Sequence, residues 1–171
     1  MTESTPAPPT AASYHAIENL IITYTHLVDA GDFAGLGTLL ADATFIGSDA
    51  PVSGPGAIET MFRGTVILYG DGTPRTKHLA SNIIIDLDDD GESATACSYV
   101  TVLQAPPGLT LQTIAAGRYH DRFERRDGRW RFTERRVHID LVGDLTRHLH
   151  RAATAPTVRP AAEPEQVAET C

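Results

Sequence analysis

The sequence predicts an α+β domain in which N-terminal helices pack on a strongly curved, mixed or antiparallel β-sheet and enclose a pocket. Three observations predict it. The first third of the chain carries apolar residues at helical spacing. From about Thr76 the period changes to two, in four long runs separated by turn residues. Helices first and a strand meander after them is the order of a segregated fold rather than an alternating one. A curved sheet capped by helices leaves a blind cavity, the natural place for a ligand.

The elements follow in order. Ile17, Leu20, Ile21, Tyr24, Leu27 and Val28 line one face of a helix over 13–29, with Ser13 as a plausible N-cap. Ala30-Gly31-Asp32 breaks it, and a second helix over 33–40 turns Phe33, Leu36, Leu39 and Leu40 inward. A short strand over 43–46 and the turn Ser53-Gly54-Pro55-Gly56 lead to a third helix, 56–63. Long strands are expected over 76–87, 92–104, 109–125 and 129–141, with Arg126-Asp127-Gly128 turning the last hairpin. Asp86-Leu87-Asp88-Asp89-Asp90 lacks calcium-loop spacing and reads as a solvated turn. The Pro/Ala/Thr-rich residues 1–12 and the Ala/Pro/Glu-rich residues 151–171 read as disordered tails, which leaves a domain over 13–150.

Composition excludes some functions. A chain of 171 residues is most simply one domain plus tails. Its net charge of -8 argues against nucleic acid or an anionic membrane surface as partner. No apolar run is long enough to span a bilayer, and the first ten residues lack the basic start and apolar core of a signal peptide, so a cytoplasmic location is expected. Cys97 reads as a small core residue and Cys171 ends the chain; a disulfide between them is not expected in a reducing compartment. No Cys/His cluster has metal spacing, so no metal site is expected.

Two segments carry the chemistry. Asp29 closes the first helix, and His78 opens a strand in Lys77-His78-Leu79-Ala80-Ser81-Asn82. The last hairpin contains Gly117-x-Tyr119-x-Asp121-x-Phe123 and Asp127-Gly128-x-Trp130-x-Phe132. In this order the segments resemble the SnoaL-like branch of the nuclear-transport-factor-2-like (NTF2-like) superfamily, over roughly residues 12–149. The resemblance implies a cone-shaped fold and a cofactor-independent enzyme of the polyketide cyclase or of the scytalone- or bile-acid-dehydratase type. It implies that Asp29 and His78 form a dyad. His78 would remove a proton from a polyketide-, steroid- or terpenoid-like molecule, and Asp29 would orient it and stabilise its charge. It also implies a catalytic role for Tyr24, five residues before Asp29, although a core Tyr bonded to a backbone carbonyl fits the position equally.

Other site residues come from strand phase. Tyr99 and Tyr119 are candidate pocket-lining groups, with Thr101 weaker and Asp121 in phase with Tyr119. Related enzymes project one Arg from the last strand to bind an anion or stabilise an enolate. Phase with Trp130 and Phe132 selects Arg136, and a bulge would hand the role to Arg135. His138 either lines the pocket or faces a partner subunit. His15, His26, His120, His148 and His150 read as surface or interface residues. Val100, Val102, Ile114 and Ala116 are expected on the outer sheet face, too apolar to stay wet, which suggests a homodimer or a higher homo-oligomer. Two rival functions share the fold: a non-catalytic small-molecule-binding domain, and an epoxide hydrolase or cyclase. The last would need several inward carboxylates, where the sequence offers only Asp29 and Asp121.

Overall fold

A computed structural model describes residues 11–150. The element order is α1 (Ala11–Ala30), α2 (Phe33–Leu39), β1 (Thr44–Ile46), β2 (Val52–Ser53), α3 (Pro55–Thr65), β3 (Thr76–Leu87), β4 (Ser93–Gln104), β5 (Gln112–Arg126) and β6 (Arg129–Val142). One six-stranded sheet has the order β2-β1-β6-β5-β4-β3. β1 runs parallel to β6 and the other pairs are antiparallel, so the sheet is mixed. The α+β class with helices against a curved sheet is the one the sequence predicts.

α1 starts two residues before the expected N-cap, so Ser13 lies inside the helix. Its inward side chains Ile17, Ile21, Tyr24 and Val28 are spaced 4-3-4 and are all buried. Burying each contributes roughly 1.5–3 kcal/mol. The helix ends on Gly31 at φ +70°, where the N–H groups of Gly31 and Asp32 reach back to Val28 and Leu27. A side chain at Gly31 would also meet the carbonyl oxygen of Gly72 at 2.3 Å. Asp32 then caps α2, its Oδ1 accepting from Gly35 N at 2.8 Å.

The sheet departs from regular pairing at four places. Register shifts lie between Ser81 and Ile84, beside Ile114, at Asp140 and at Thr133. Asn82 takes a positive φ at the first. The β5–β6 hairpin turns through Asp127 and Gly128, both at positive φ, as the Asp-Gly pair predicts. The acidic β3–β4 turn is organised by Asp90, which accepts from the backbone of Glu92 and Ser93.

The strand phases correct part of the sequence reading. On β4 the inward residues are Ala94, Ala96, Ser98, Val100, Val102 and Gln104. Val100 and Val102 therefore lie under the helices, and Ile114 is fully buried at its register shift. The outer face instead shows Leu79 (50% exposed), Ile84 (54%), Tyr99 (51%) and Leu141 (69%). Leu79, Thr101, Ala116 and Leu141 form one cross-strand row over β3 to β6.

Cys97 is buried but is not a free thiol, so it is not the reduced core residue expected. The expectation for Cys171 and those for most of the two tails fall outside the described residues. Among the described residues no helix is long and apolar enough to cross a membrane.

Candidate active site

The last turn of α1 faces the start of β3. Arg75 precedes that strand at φ +56°, a left-handed conformation uncommon for a residue with a side chain. The chain then enters β3 with Thr76 and His78 both beside Asp29. Thr76 Oγ1 donates to Asp29 Oδ1 at 2.7 Å, and the backbone N–H of His78 donates to Oδ2 at 2.9 Å. His78 Nδ1 lies 2.6 Å from Oδ1. A carboxylate at the C-terminal end of a helix opposes the helix dipole; here three donors offset that cost. Burial pushes the Asp29 carboxyl up, but the hydrogen bond and charge of His78, with Thr76, outweigh it and hold the group below its ordinary value. An ionised Asp29 only accepts. Nδ1 of His78 therefore carries the hydrogen, and the Nε2 lone pair is left unclaimed by the carboxylate.

His78 stands in the wall of a cavity of about 520 Å³ between the helices and the inner sheet face. Asp29 lies behind that wall. Phe45, Phe62, Val100, Val102, Val137 and Ile139 make the wall largely apolar. Tyr24, Tyr119, His78 and His148 supply polar groups, while His138, in register with the outward Arg118 and Tyr99, only borders the cavity. This size and lining suit a small organic ligand. Among the described residues neither tyrosine hydroxyl has a hydrogen-bond partner, and neither is a sealed-off polar atom.

Beneath the two tyrosines lies Arg135, fully buried. Its guanidinium carbon is 3.9 Å from the ring centre of Tyr24 and 4.1 Å from that of Tyr119. Its Nε and Nη2 bond the two oxygens of Asp121 at 3.0 and 2.9 Å. Burial pushes Tyr24 up to about 12, with the Arg135 charge opposing, and Tyr119 moves in the same direction for the same reason. Both phenols are neutral hydrogen-bond donors at physiological pH. Burial also raises the Asp121 carboxyl to about 6 against the pull of Arg135.

The structure thus brings Asp29, His78, Tyr24 and Tyr119 together, with His138 bordering the cavity and packed edge-on to His120 at 5.2 Å. It separates the others. Tyr99 and Thr101 point to the outer face, because β4 turns the alternate residues Ser98, Val100 and Val102 into the core. Arg136 is half-exposed beside Glu134. The register shift at Thr133 inverts the phase after Phe132, so Arg135 takes the inward position. Asp121 faces inward as its phase predicted, but it is committed to Arg135.

His148 was missed. It is buried, not a surface residue, and its ring centre lies 6.5 Å from that of His78. The signal was present in Leu145-x-x-His148-Leu149, an apolar spacing that seats this last described turn against the cavity. Burial, with the nearby charge of His78, lowers its pKa to about 4. Among the described residues no three His, Cys, Asp or Glu side chains converge as metal ligands.

Comparison with known proteins agrees with this architecture. A family model described as a SnoaL-like domain matches residues 9–136. An NTF2-like protein with a cystatin-like fold from Novosphingobium aromaticivorans is 23% identical with a TM-score of 0.62, covering 75% of this chain and 82% of its own. A putative scytalone dehydratase from the same organism is 22% identical with a TM-score of 0.64, covering 88% and 96%. ActVI-ORFA from Streptomyces coelicolor is 20% identical with a TM-score of 0.63, covering 76% and 98%. These identities establish likeness of fold. No functionally curated protein matches the sequence.

Proposed function

The chain belongs to the SnoaL-like domain family, and on that footing we propose that it is a cofactor-independent lyase or isomerase, a dehydratase or cyclase, acting on a polyketide-, steroid- or terpenoid-like molecule. The observation that carries this reading is the bond between His78 Nδ1 and Asp29 Oδ1, 2.6 Å long, with His78 in the wall of an apolar cavity. His78 Nε2 takes a proton from carbon beside a carbonyl. Asp29 stabilises the imidazolium that results. Negative charge moves to the carbonyl oxygen, where Tyr24, kept neutral by burial, donates a hydrogen bond. In a dehydration the enolate re-forms the carbonyl as the β carbon–oxygen bond breaks, the same phenol hydrogen-bonds the departing hydroxyl, and the imidazolium gives that hydroxyl its proton, so water leaves and His78 is neutral again. General-base catalysis of this kind contributes ~10²–10⁴-fold.

The likeness to a putative scytalone dehydratase supports a dehydratase within this class. The epoxide-hydrolase alternative draws less support, since one of its two carboxylates, Asp121, is bonded to Arg135. The outer row Leu79–Thr101–Ala116–Leu141 supports a homodimer formed through that face. The test of function is a screen of hydroxylated cyclic ketones followed by mass spectrometry. A dehydratase removes one water, while a cyclase or isomerase leaves the mass unchanged and shifts retention. Ligands that bind tightly and are recovered unchanged by wild type would instead establish the binding-domain alternative.

A further inference from the structure

His148 lies beyond residues 9–136, the stretch matched by the family model. It is held firmly. Its carbonyl accepts from Ile67 N at 2.8 Å, and the next residue but one, His150, donates from N to Thr65 O at 3.0 Å. Val66 and Leu149 form an isolated bridge. The carbonyl of Arg147 accepts from Tyr69 Oη at 2.6 Å and Gln104 Nε2 at 3.1 Å. The residue these contacts fix is only 9% exposed, lines the cavity and has a buried Nδ1 with no hydrogen-bond partner.

That orphaned nitrogen selects a tautomer. A buried N–H left unpaired is the rarer and costlier state, and an unpaired acceptor is better tolerated. Nδ1 therefore carries the lone pair and Nε2 the hydrogen. Burial keeps the ring neutral. His78 has the opposite arrangement, with its hydrogen on Nδ1 toward Asp29. One imidazole of the cavity is an acceptor and the other a donor, with ring centres 6.5 Å apart. That gap has room for one oxygen hydrogen-bonded to both rings, each bond being about 2.8–3.0 Å.

We propose that His148 is the residue that reads a substrate oxygen: its Nε2–H donates to a hydroxyl or enol oxygen whose own O–H points to His78. The substrate class is then a ring-bearing phenol or enol, with an apolar body against the valine-lined wall. The inference rests on the dyad reading, in which the Nε2 lone pair of His78 accepts this O–H in the bound state and leaves it to take the proton from carbon, and it adds a specificity residue on the opposite side of the oxygen.

The test compares two probes of nearly equal size, naphthalene and 2-naphthol, whose dissociation constants are followed by fluorescence. Wild type should prefer 2-naphthol by about 10-fold, the contribution of one to two net hydrogen bonds. His148→Leu should abolish most of that preference and leave naphthalene binding within about twofold. His148→Gln, which keeps an N–H donor near the Nε2 position, should recover part of it. Thermal melts confirm that both variants fold. In parallel, ¹⁵N NMR of labelled imidazoles at pH 7 should show His148 neutral with hydrogen on Nε2, shifting when 2-naphthol binds.

A preference that survives in folded His148→Leu overturns the proposal. So does a wild type that binds both probes equally or neither, or a His148 ring carrying its hydrogen on Nδ1. The binding ratio needs no turnover, so lost discrimination here and lost activity in a His78 variant are separate results.

Discussion

Asp29 holds His78 twice, by its ring at 2.6 Å and by its backbone N–H at 2.9 Å. The double attachment fixes both ring orientation and strand entry, so the carboxylate is structural and electrostatic at once. Asp29→Asn retains the shape but loses the charge. An amide has one acceptor oxygen: at the Oδ1 position it keeps Thr76 Oγ1 and His78 Nδ1–H but sets its NH₂ against the His78 N–H, and at the Oδ2 position it keeps only that N–H. The expected result is ~10²-fold or more lost from turnover and a fall in Tm of several degrees, about 2–4 °C for each kcal/mol lost in a domain near this size. Tyr24→Phe, read in the same assay, should cost less, since one hydroxyl goes and other donors remain.

Arg135 and Asp121 form a buried pair under the two tyrosines. Removing one member strands the other charge, so Asp121→Asn or Arg135→Met should destabilise by roughly 3–5 kcal/mol in urea unfolding. The double substitution Asp121→Leu with Arg135→Met should be less costly than the sum, because neither charge remains. Additive losses would show that the pair is not coupled as the bidentate geometry implies.

His148 makes stability depend on pH. Its pKa falls from 6.5 to about 4 on folding. Between those values the unfolded chain binds the proton and the folded one does not, so this contribution is complete above pH 6.5 and is lost as pH falls toward 4. At ~1.4 kcal/mol for each tenfold change in proton affinity, it amounts to about 3 kcal/mol at most. Asp121 acts oppositely. Its folded pKa is raised to about 6, so its contribution is present at low pH and lost as pH rises through 6. The wild-type profile is therefore a compromise. The difference between wild type and His148→Gln isolates the histidine and should grow in favour of wild type from pH 4 to 6.5.

Leu141 is the most exposed large apolar residue of the outer sheet row, at 69%. If that row is the dimer face, Leu141→Asp should yield a folded monomer in sedimentation, with Tm falling as protein is diluted in wild type only. A wild type that sediments as a monomer at micromolar concentration removes the homodimer proposal.

Much of this architecture is legible in the sequence because it rests on local rules. The 4-3-4 spacing from Ile17 to Val28, Gly31 after the helix and Asp127-Gly128 in the hairpin each specify their own conformation. Strand phase is less local. On β4 the valines and the tyrosine alternate, and chemistry made Tyr99 attractive, whereas burial favours Val100 and Val102. On β6 a single extra residue at Thr133 moves Arg135 in and Arg136 out. No sequence motif marks that insertion; it is a property of pairing with β5. His148 was obscured by its place among polar residues near the chain end. Its burial depends on contacts with Thr65, Ile67 and Tyr69, some eighty residues earlier.

The central claim is that His78, held by Asp29, removes a carbon-bound proton inside the cavity. It can be measured before the natural substrate is known. The protein is incubated in D₂O with 2-tetralone, a bicyclic ketone with acidic protons beside its carbonyl, and their exchange is followed by ¹H NMR. Wild type should accelerate exchange over buffer, and His78→Ala should lose that acceleration by ~10²–10⁴-fold while its melt shows an intact fold. Exchange by folded His78→Ala at the wild-type rate, or a wild type no faster than buffer, would contradict the account.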